Sequence, residues 1–184
     1  MATTPDPRLT GTYTLDPAHT RIGFVARHAM VTKVRGAFND FTGTARINGE
    51  NPEQSSVELV VKAESIDTRN ADRDGHLRSN DFLDMANHPE ITFRSTGVKQ
   101  SGDDAFDVTG DLTIKGVTRS VTVPFTYEGQ AKDPFGNERI GLEGALTIDR
   151  RDYGVTWNAA LETGGFLVSD TVRLEFEVSA VKQS

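Results

Sequence analysis

The 184-residue chain contains no cysteine. That absence excludes a disulfide framework, a zinc–thiolate centre and a cysteine nucleophile together. Long apolar runs are missing as well. The most apolar stretch, residues 57–63, is broken by Glu58 and Lys62 and falls far short of the ~18 residues of a spanning helix. Lys and Arg number 20 against 27 Asp and Glu, and the net charge of −7 opposes a broad footprint on nucleic acid or anionic lipid. The opening Met-Ala-Thr-Thr-Pro-Asp-Pro has no basic n-region and no apolar h-region, so no secretory signal is visible and a cytoplasmic location is expected. Hydrophobic residues make up only 36%, yet there are 17 Gly and 10 Phe, a balance that suits a twisted β protein better than a helix bundle.

What is present has a period of two. Ile22, Phe24, Ala26 and His28 share one face, with Arg21 and Arg27 on the other. The same rule runs through residues 34–38, 41–47, 57–63, 91–93, 106–114, 121–127, 140–148 and 172–178. Turn chemistry separates these runs, as at Asp16-Pro17, Asn48-Gly49, Lys115-Gly116 and Pro134-Phe135-Gly136-Asn137. Pro124 lacks an N–H and belongs at an edge, a bulge or a strand end. About eight strands with short connections favour an antiparallel sheet closed on itself, although a two-sheet sandwich gives much the same pattern. One segment, residues 70–87, breaks the rhythm. Its signals predict one or two short helices, with Ser79 or Asn80 as N-cap, Asp81 and Asp84 in the first turn and Pro89 beyond the end. Leu77, Phe82, Leu83 and Met85 are its apolar residues, placed to cap a barrel end or to lie on its wall.

The bore of an eight-stranded barrel is either filled by side chains or just able to hold one slender ligand. Ala26, Gly36, Gly43, Ala45, Ala63, Gly110 and Gly144 fall in the apolar phase. They read either as bulges and kinks that curve the sheet or as the small residues of a lengthwise slot. Such a slot suits a linear hydrocarbon.

Candidate chemistry is sparse. Residues 70–81 nearly match a calcium-binding EF-hand loop, with Asn at position 1 and Asp at position 12 as departures. Asp74, His76 and Asp81 could serve a metal hydrolase, but His-Glu-x-x-His is absent and the four histidines are scattered; no metal site is expected. Gly-x-Ser-x-Gly, a P-loop and Gly-x-Gly-x-x-Gly are also absent. His28 is either a core histidine bonded to a carbonyl or a polar group at the barrel mouth. Arg73, Arg78, Arg150 and Arg151 pose the same choice between turn support and a donor for an anionic or quinone head.

Several blocks together resemble the YceI-like family. They are Leu15-Asp16-Pro17-Ala18-His19-Thr20 with Ile22-Gly23-Phe24 and His28, then Val34-Arg35-Gly36-Ala37-Phe38 with Phe41 and Gly43. Ser65-Ile66-Asp67-Thr68, residues 73–79, Asp81-Phe82-Leu83, Pro89 with Phe93, residues 110–118 and Arg150-Arg151-Asp152-Tyr153-Gly154 complete the set. The resemblance spans about residues 11–180. It implies a lipocalin-like antiparallel barrel that holds a polyisoprenoid, such as a prenyl quinone or prenyl phosphate, and so selects barrel over sandwich. Tyr13 stands where relatives usually carry Trp, and many relatives begin with a secretory signal.

The resulting expectation is an eight-stranded antiparallel lipocalin-like barrel over residues 11–184, preceded by a tail at 1–10. It binds, stores or transports a long-chain isoprenoid without catalysis and without a cofactor. Ile22, Phe24, Phe38, Phe41, Leu59, Phe82, Phe93, Leu112, Leu142, Leu146 and Phe176 are the expected apolar ligand contacts. His28, Asp74, His76 and Arg78 are expected at the mouth or in the turn that shapes it. The expected partner is an isoprenoid lipid and not nucleic acid, with room for transient membrane contact and for a homodimer. Two alternatives stand beside this reading: an enzyme on a prenyl or quinone-like substrate with Asp74 and His76 as acid/base pair, and a filled barrel acting as a stress-related interaction module.

Overall fold

A computed structural model describes residues 6–183. Its eleven strands among those residues are β1 (Gly11–Leu15), β2 (Arg21–His28), β3 (Thr32–Phe38), β4 (Phe41–Ile47), β5 (Ser56–Lys62), β6 (Ile66–Asp67), β7 (Glu90–Gln100), β8 (Ala105–Ile114), β9 (Val117–Lys132), β10 (Glu138–Asp149) and β11 (Thr171–Lys182), with one α-helix, α1 (Ala71–Arg78). All pairings are antiparallel, and β1–β4–β5–β7–β8–β9–β10–β11 close into a ring through the β11–β1 pair. The architecture is an eight-stranded antiparallel barrel with few short helices.

Three of the eight staves are broken in two. Along β11, β1 takes residues 180–182 and β2 takes residues 173–177, so β1 and β2 form one bent stave. β4 pairs with β1 while β3 pairs with β2; β5 pairs with β4 while β6 pairs with β3. Chain order is therefore ring order, a plain meander. The breaks fall at Asp16–Thr20, Asn39-Asp40 and Ala63–Ser65, and each bends a stave around the curve.

At one end the ladders come apart. β6 pairs only with β3, and β7 joins β5 no earlier than Glu90. β10 pairs with β9 only as far as Phe125. Pro124 sits where that ladder stops, which is where a residue without an N–H can stand. α1 with residues 79–89 stands between β6 and β7. A 3₁₀ turn at Arg150–Tyr153 packs against β9 and β10 at the other gap.

The helix occupies a different place from the one its cap signals suggest. Asn70 is the N-cap, its Oδ1 accepting the Arg73 N–H at 2.9 Å, and Ser79 is the C-cap instead of the N-cap. Residues 79–89 continue as turns, with Asp84 in the left-handed region at φ 50°. The calcium-loop reading of residues 70–81 fails for the same reason: most of the segment is helix, and its first oxygen ligand is spent on the cap. The expected tail at 1–10 is described from Asp6 onward; residues 1–5 lie outside the described residues. Leu9 is buried against Tyr13, Ile140 and Ala180, so this stretch belongs to the barrel's floor.

Candidate functional site

Inward side chains from every stave enclose a cavity of about 340 Å³, within the range of small-molecule sites. It extends from Leu9, Ile47 and Pro52 near the floor to Leu77, Phe82 and Val168 under the opposite end. The barrel is therefore not filled, which removes the filled-barrel alternative. Of the expected wall residues, Ile22, Phe24, Phe38, Leu59, Phe82, Phe93, Leu112, Leu142, Leu146 and Phe176 face this space. Phe41 does not. It sits beside the break between β3 and β4 and is buried against Ile22 and Val61.

The glycines answer the question their phase raised. A Cβ on Gly36 would collide with the Phe24 ring, one on Gly110 would meet Phe93 at 2.6 Å, and one on Gly144 would meet Phe125 at 2.6 Å. Each ring lies across a glycine on a neighbouring stave. That packing keeps bulky aromatics flat on the wall and out of the bore. Kinks occur elsewhere, at Ser95/Gly97 and Gly141/Leu142.

The four expected mouth groups are absent from the cavity wall and serve the structure around it. Asp74 is buried, and its Oδ1 accepts the Thr68 N–H at 2.9 Å and the Thr68 hydroxyl at 2.5 Å. Arg73 completes that knot by donating to Thr68 Oγ1 and O. His76 Nε2 is 2.9 Å from Asp81 Oδ2, and its ring meets Phe82 and Trp157 edge-on at 5.0 and 4.6 Å between centroids. Asp74 and His76 thus hold different partners and form no acid/base pair, as expected for positions two apart on a helix. Arg78 ties α1 to the third stave through Glu64 O and Ile66 O. His28 is exposed at the end of β2, bridged to Val168.

Arg150 is the charged residue among those lining the cavity. It is 6% exposed. Its guanidinium donates to Ser169 O (2.8 Å), Val155 O (2.8 Å), Trp157 O (2.9 Å) and Val168 O (3.5 Å). Burial lowers its pKa from the ordinary arginine value. A buried cation held by carbonyls is a clasp: it gathers both ends of the long 150–170 crossover over the barrel. Trp157, on that crossover, closes the aromatic cap over Phe82 at 5.4 Å. Neither the clasp's carbonyls nor the Trp157 cap has a periodic signature. The signals available were the single tryptophan and an arginine pair following a strand.

At the floor, a second arginine binds carboxylates instead of carbonyls in a partly exposed network. Arg139 Nη1 is 2.6 Å from Asp16 Oδ2, and its Nε is 2.8 Å from Asp133 Oδ2. His19 hydrogen-bonds Asp16 at 2.7 Å. Hydrogen bonds from His19 and Arg139 hold the Asp16 carboxyl at about 2, and the bond from Arg139 holds Asp133 at about 2.

A family model described as a YceI-like domain matches residues 13–180. A UPF0312 protein of Azotobacter vinelandii is 41% identical over 137 residues, which cover 74% of this chain and 71% of that protein. BcnA of Burkholderia cenocepacia superposes with a TM-score of 0.79 at 25% identity, covering 90% of this chain and 98% of BcnA. A polyisoprenoid binding domain from Saccharophagus degradans, implicated in plant cell wall breakdown, superposes with a TM-score of 0.70 at 18% identity over 93% of this chain and 98% of its own. That last likeness speaks for the fold.

Proposed function

The chain belongs to the YceI-like family, and from that premise we propose that it is a non-enzymatic carrier or store of a long-chain isoprenoid lipid of the prenyl quinone or prenyl phosphate class. The observation that carries this reading is the cavity of about 340 Å³ running from floor to cap behind aliphatic and phenyl side chains. A bore of that shape favours a flexible chain over a flat ring system. The polyisoprenoid binding of the Saccharophagus degradans domain supports the same ligand class.

Energetics favour exchange over capture from water. Each buried methylene is worth ~0.8 kcal/mol against water, so a chain of several isoprene units would exceed the ~18–21 kcal/mol ceiling of non-covalent affinity. Such a lipid comes from a membrane or another apolar host. The apolar contributions then nearly cancel, and the fit at the two ends decides loading and release.

Organic extraction of the purified protein followed by mass spectrometry tests the proposal. An isoprenoid recovered near one molecule per barrel, or stoichiometric uptake of added prenyl quinone by stripped protein, is the expected result. A stripped barrel that refuses both prenyl quinone and prenyl phosphate would overturn it.

A further inference from the structure

The β2–β3 hairpin combines features that the barrel itself does not need. Its turn hydrogen bond runs from Val31 N to His28 O at 3.2 Å. Its two central residues, Ala29 and Met30, both stand in the left-handed region, at φ 51° and 65°, where glycine or asparagine is the usual choice. This strained tip presents Met30 and Val31 at 62% and 75% exposure. Beside it, across the 159–168 loop, Phe166 is 57% exposed. Met30 packs its sulfur against Gly165, where a Cβ would collide with it, and Ala29 N bonds Leu167 O at 2.7 Å. Three of the four exposed large apolar side chains among the described residues therefore form one patch, and Ala26 and Val168 just behind it line the cavity.

The charge on the hairpin side of the patch is one-sided, while the adjoining loop carries one exposed acid, Glu162. Residues 17–39 contain Arg21, Arg27, Lys33 and Arg35 and no Asp or Glu, in a chain with 27 acids. Arg27 and Lys33 are directly opposite across the hairpin, a like-charge pairing that weakens a sheet. Among the described residues no carboxylate forms an ion pair with Arg27, Lys33 or Arg35, although Arg21 reaches Glu175 at 3.6 Å. An apolar tip behind a collar of unpaired cations matches the interfacial zone of an anionic bilayer, with acyl chains for Met30, Val31 and Phe166 and phosphates for the collar. The acidic remainder of the molecule does not forbid this. At physiological salt the screening length is about 8 Å, so only charges at the contact matter.

We propose that the β2–β3 hairpin and the adjoining 159–168 loop dock this barrel on an anionic phospholipid surface, setting the cavity's capped end against the bilayer. The proposal rests on the carrier reading for its purpose, and it is tested without it. Full-length protein is sedimented with vesicles of phosphatidylcholine alone and of phosphatidylcholine with phosphatidylglycerol. The expected result is binding to the anionic vesicles that falls with added salt and is weak on phosphatidylcholine. Met30→Asp with Val31→Asp should lower the binding at least about tenfold. Lys33→Gln with Arg35→Gln should lower it about fivefold per charge and flatten the salt dependence. Phe135→Asp, which alters the most exposed phenyl ring (89%) on the distant β9–β10 turn, should change nothing.

No association with anionic vesicles would overturn the proposal, as would equal losses from Phe135→Asp. A dimer in sedimentation velocity that Met30→Asp with Val31→Asp dissociates, without vesicle binding, would assign the patch to a second copy and also overturn it. If the aspartate pair melts early, the glutamine pair and the salt series decide alone. Lipid extraction from the same samples keeps the two claims apart: an isoprenoid without vesicle binding sinks docking only, and vesicle binding by an empty barrel that refuses prenyl lipid sinks the carrier reading only.

Discussion

The two ends of this barrel are closed by different means. At the floor the β1–β4, β1–β11 and β9–β10 ladders reach their strand ends while β5–β7 stops at Glu58 and Arg94, Leu9 packs against Tyr13, Ile140 and Ala180, and Arg139 joins two aspartates in a partly exposed network. At the other end two ladders stop short, and the gaps are covered by α1, a 3₁₀ turn and a crossover that one buried arginine clasps. Continuous sheet opens only by breaking many hydrogen bonds together. A lid of helix, turns and loop held by separate side-chain bonds can open locally at a fraction of the global unfolding energy. The comparison teaches that continuous sheet supplies the barrel's stability while the capped end is the part able to open locally.

Arg150→Ala attacks that asymmetry most directly and should have the largest effect. It leaves carbonyls of residues 155, 157 and 169 without their donor beneath the cap, at a cost of about 3–5 kcal/mol. For a domain of this size that is on the order of 10 °C in Tm. The single tryptophan, Trp157, should shift its emission to the red as the cap loosens, and transfer of a bound prenyl lipid to acceptor vesicles should accelerate. Stopped-flow transfer and Trp fluorescence measure both on one sample. An unchanged transfer rate in a folded variant would show that lipid does not pass by this end.

Leu9→Ala sharpens the same contrast from below. Leu9 lies 7% exposed against Tyr13 and also borders the cavity, so its loss enlarges an existing space and should cost about 2 kcal/mol, toward the low end for buried leucine. Thermal melting should register the loss while the lipid transfer rate stays at the wild-type value. Faster transfer in Leu9→Ala than in Arg150→Ala would reverse the assignment of the two ends.

Much of the fold was written in alternation. Nine strand runs are readable at residues 20–28, 34–38, 41–47, 57–63, 91–93, 106–114, 121–127, 140–148 and 172–178, because inward and outward positions differ in polarity wherever one face is buried. β6 escaped because two residues carry no period, and β1 because five residues near the terminus scarcely do. The helix N-cap was displaced by nine or ten residues: Ala-Asp-Arg-Asp-Gly-His-Leu-Arg holds one large apolar side chain, so periodicity could not mark it and the wrong serine looked like its cap. Wall residues of the cavity follow from strand phase, and Phe41 departs because the stave bends there. The capped end was nearly illegible. Its closure depends on Arg150 reaching carbonyls 5 to 19 residues away, and a carbonyl looks the same at every position in a sequence.

The floor network yields the smallest effect at neutral pH and a clear one in acid. Asp16 and Asp133 stand at about 2 in the folded chain against an ordinary 3.8. A carboxyl whose folded pKa is depressed binds its proton more readily when unfolded, so its contribution is complete above about pH 4 and disappears as the pH falls toward 2. Arg139→Met removes the partner these carboxylates share. It should lower Tm modestly at pH 7, since ion pairs still in reach of solvent are screened, and its melting curve should converge on the wild type's by pH 2. Melts at half-unit steps from pH 7 to 2 measure the convergence. A gap between the two proteins that stays constant down to pH 2 would mean that Arg139 stabilises the floor by packing and not by charge, and the floor would then resemble the cap more than the comparison allows.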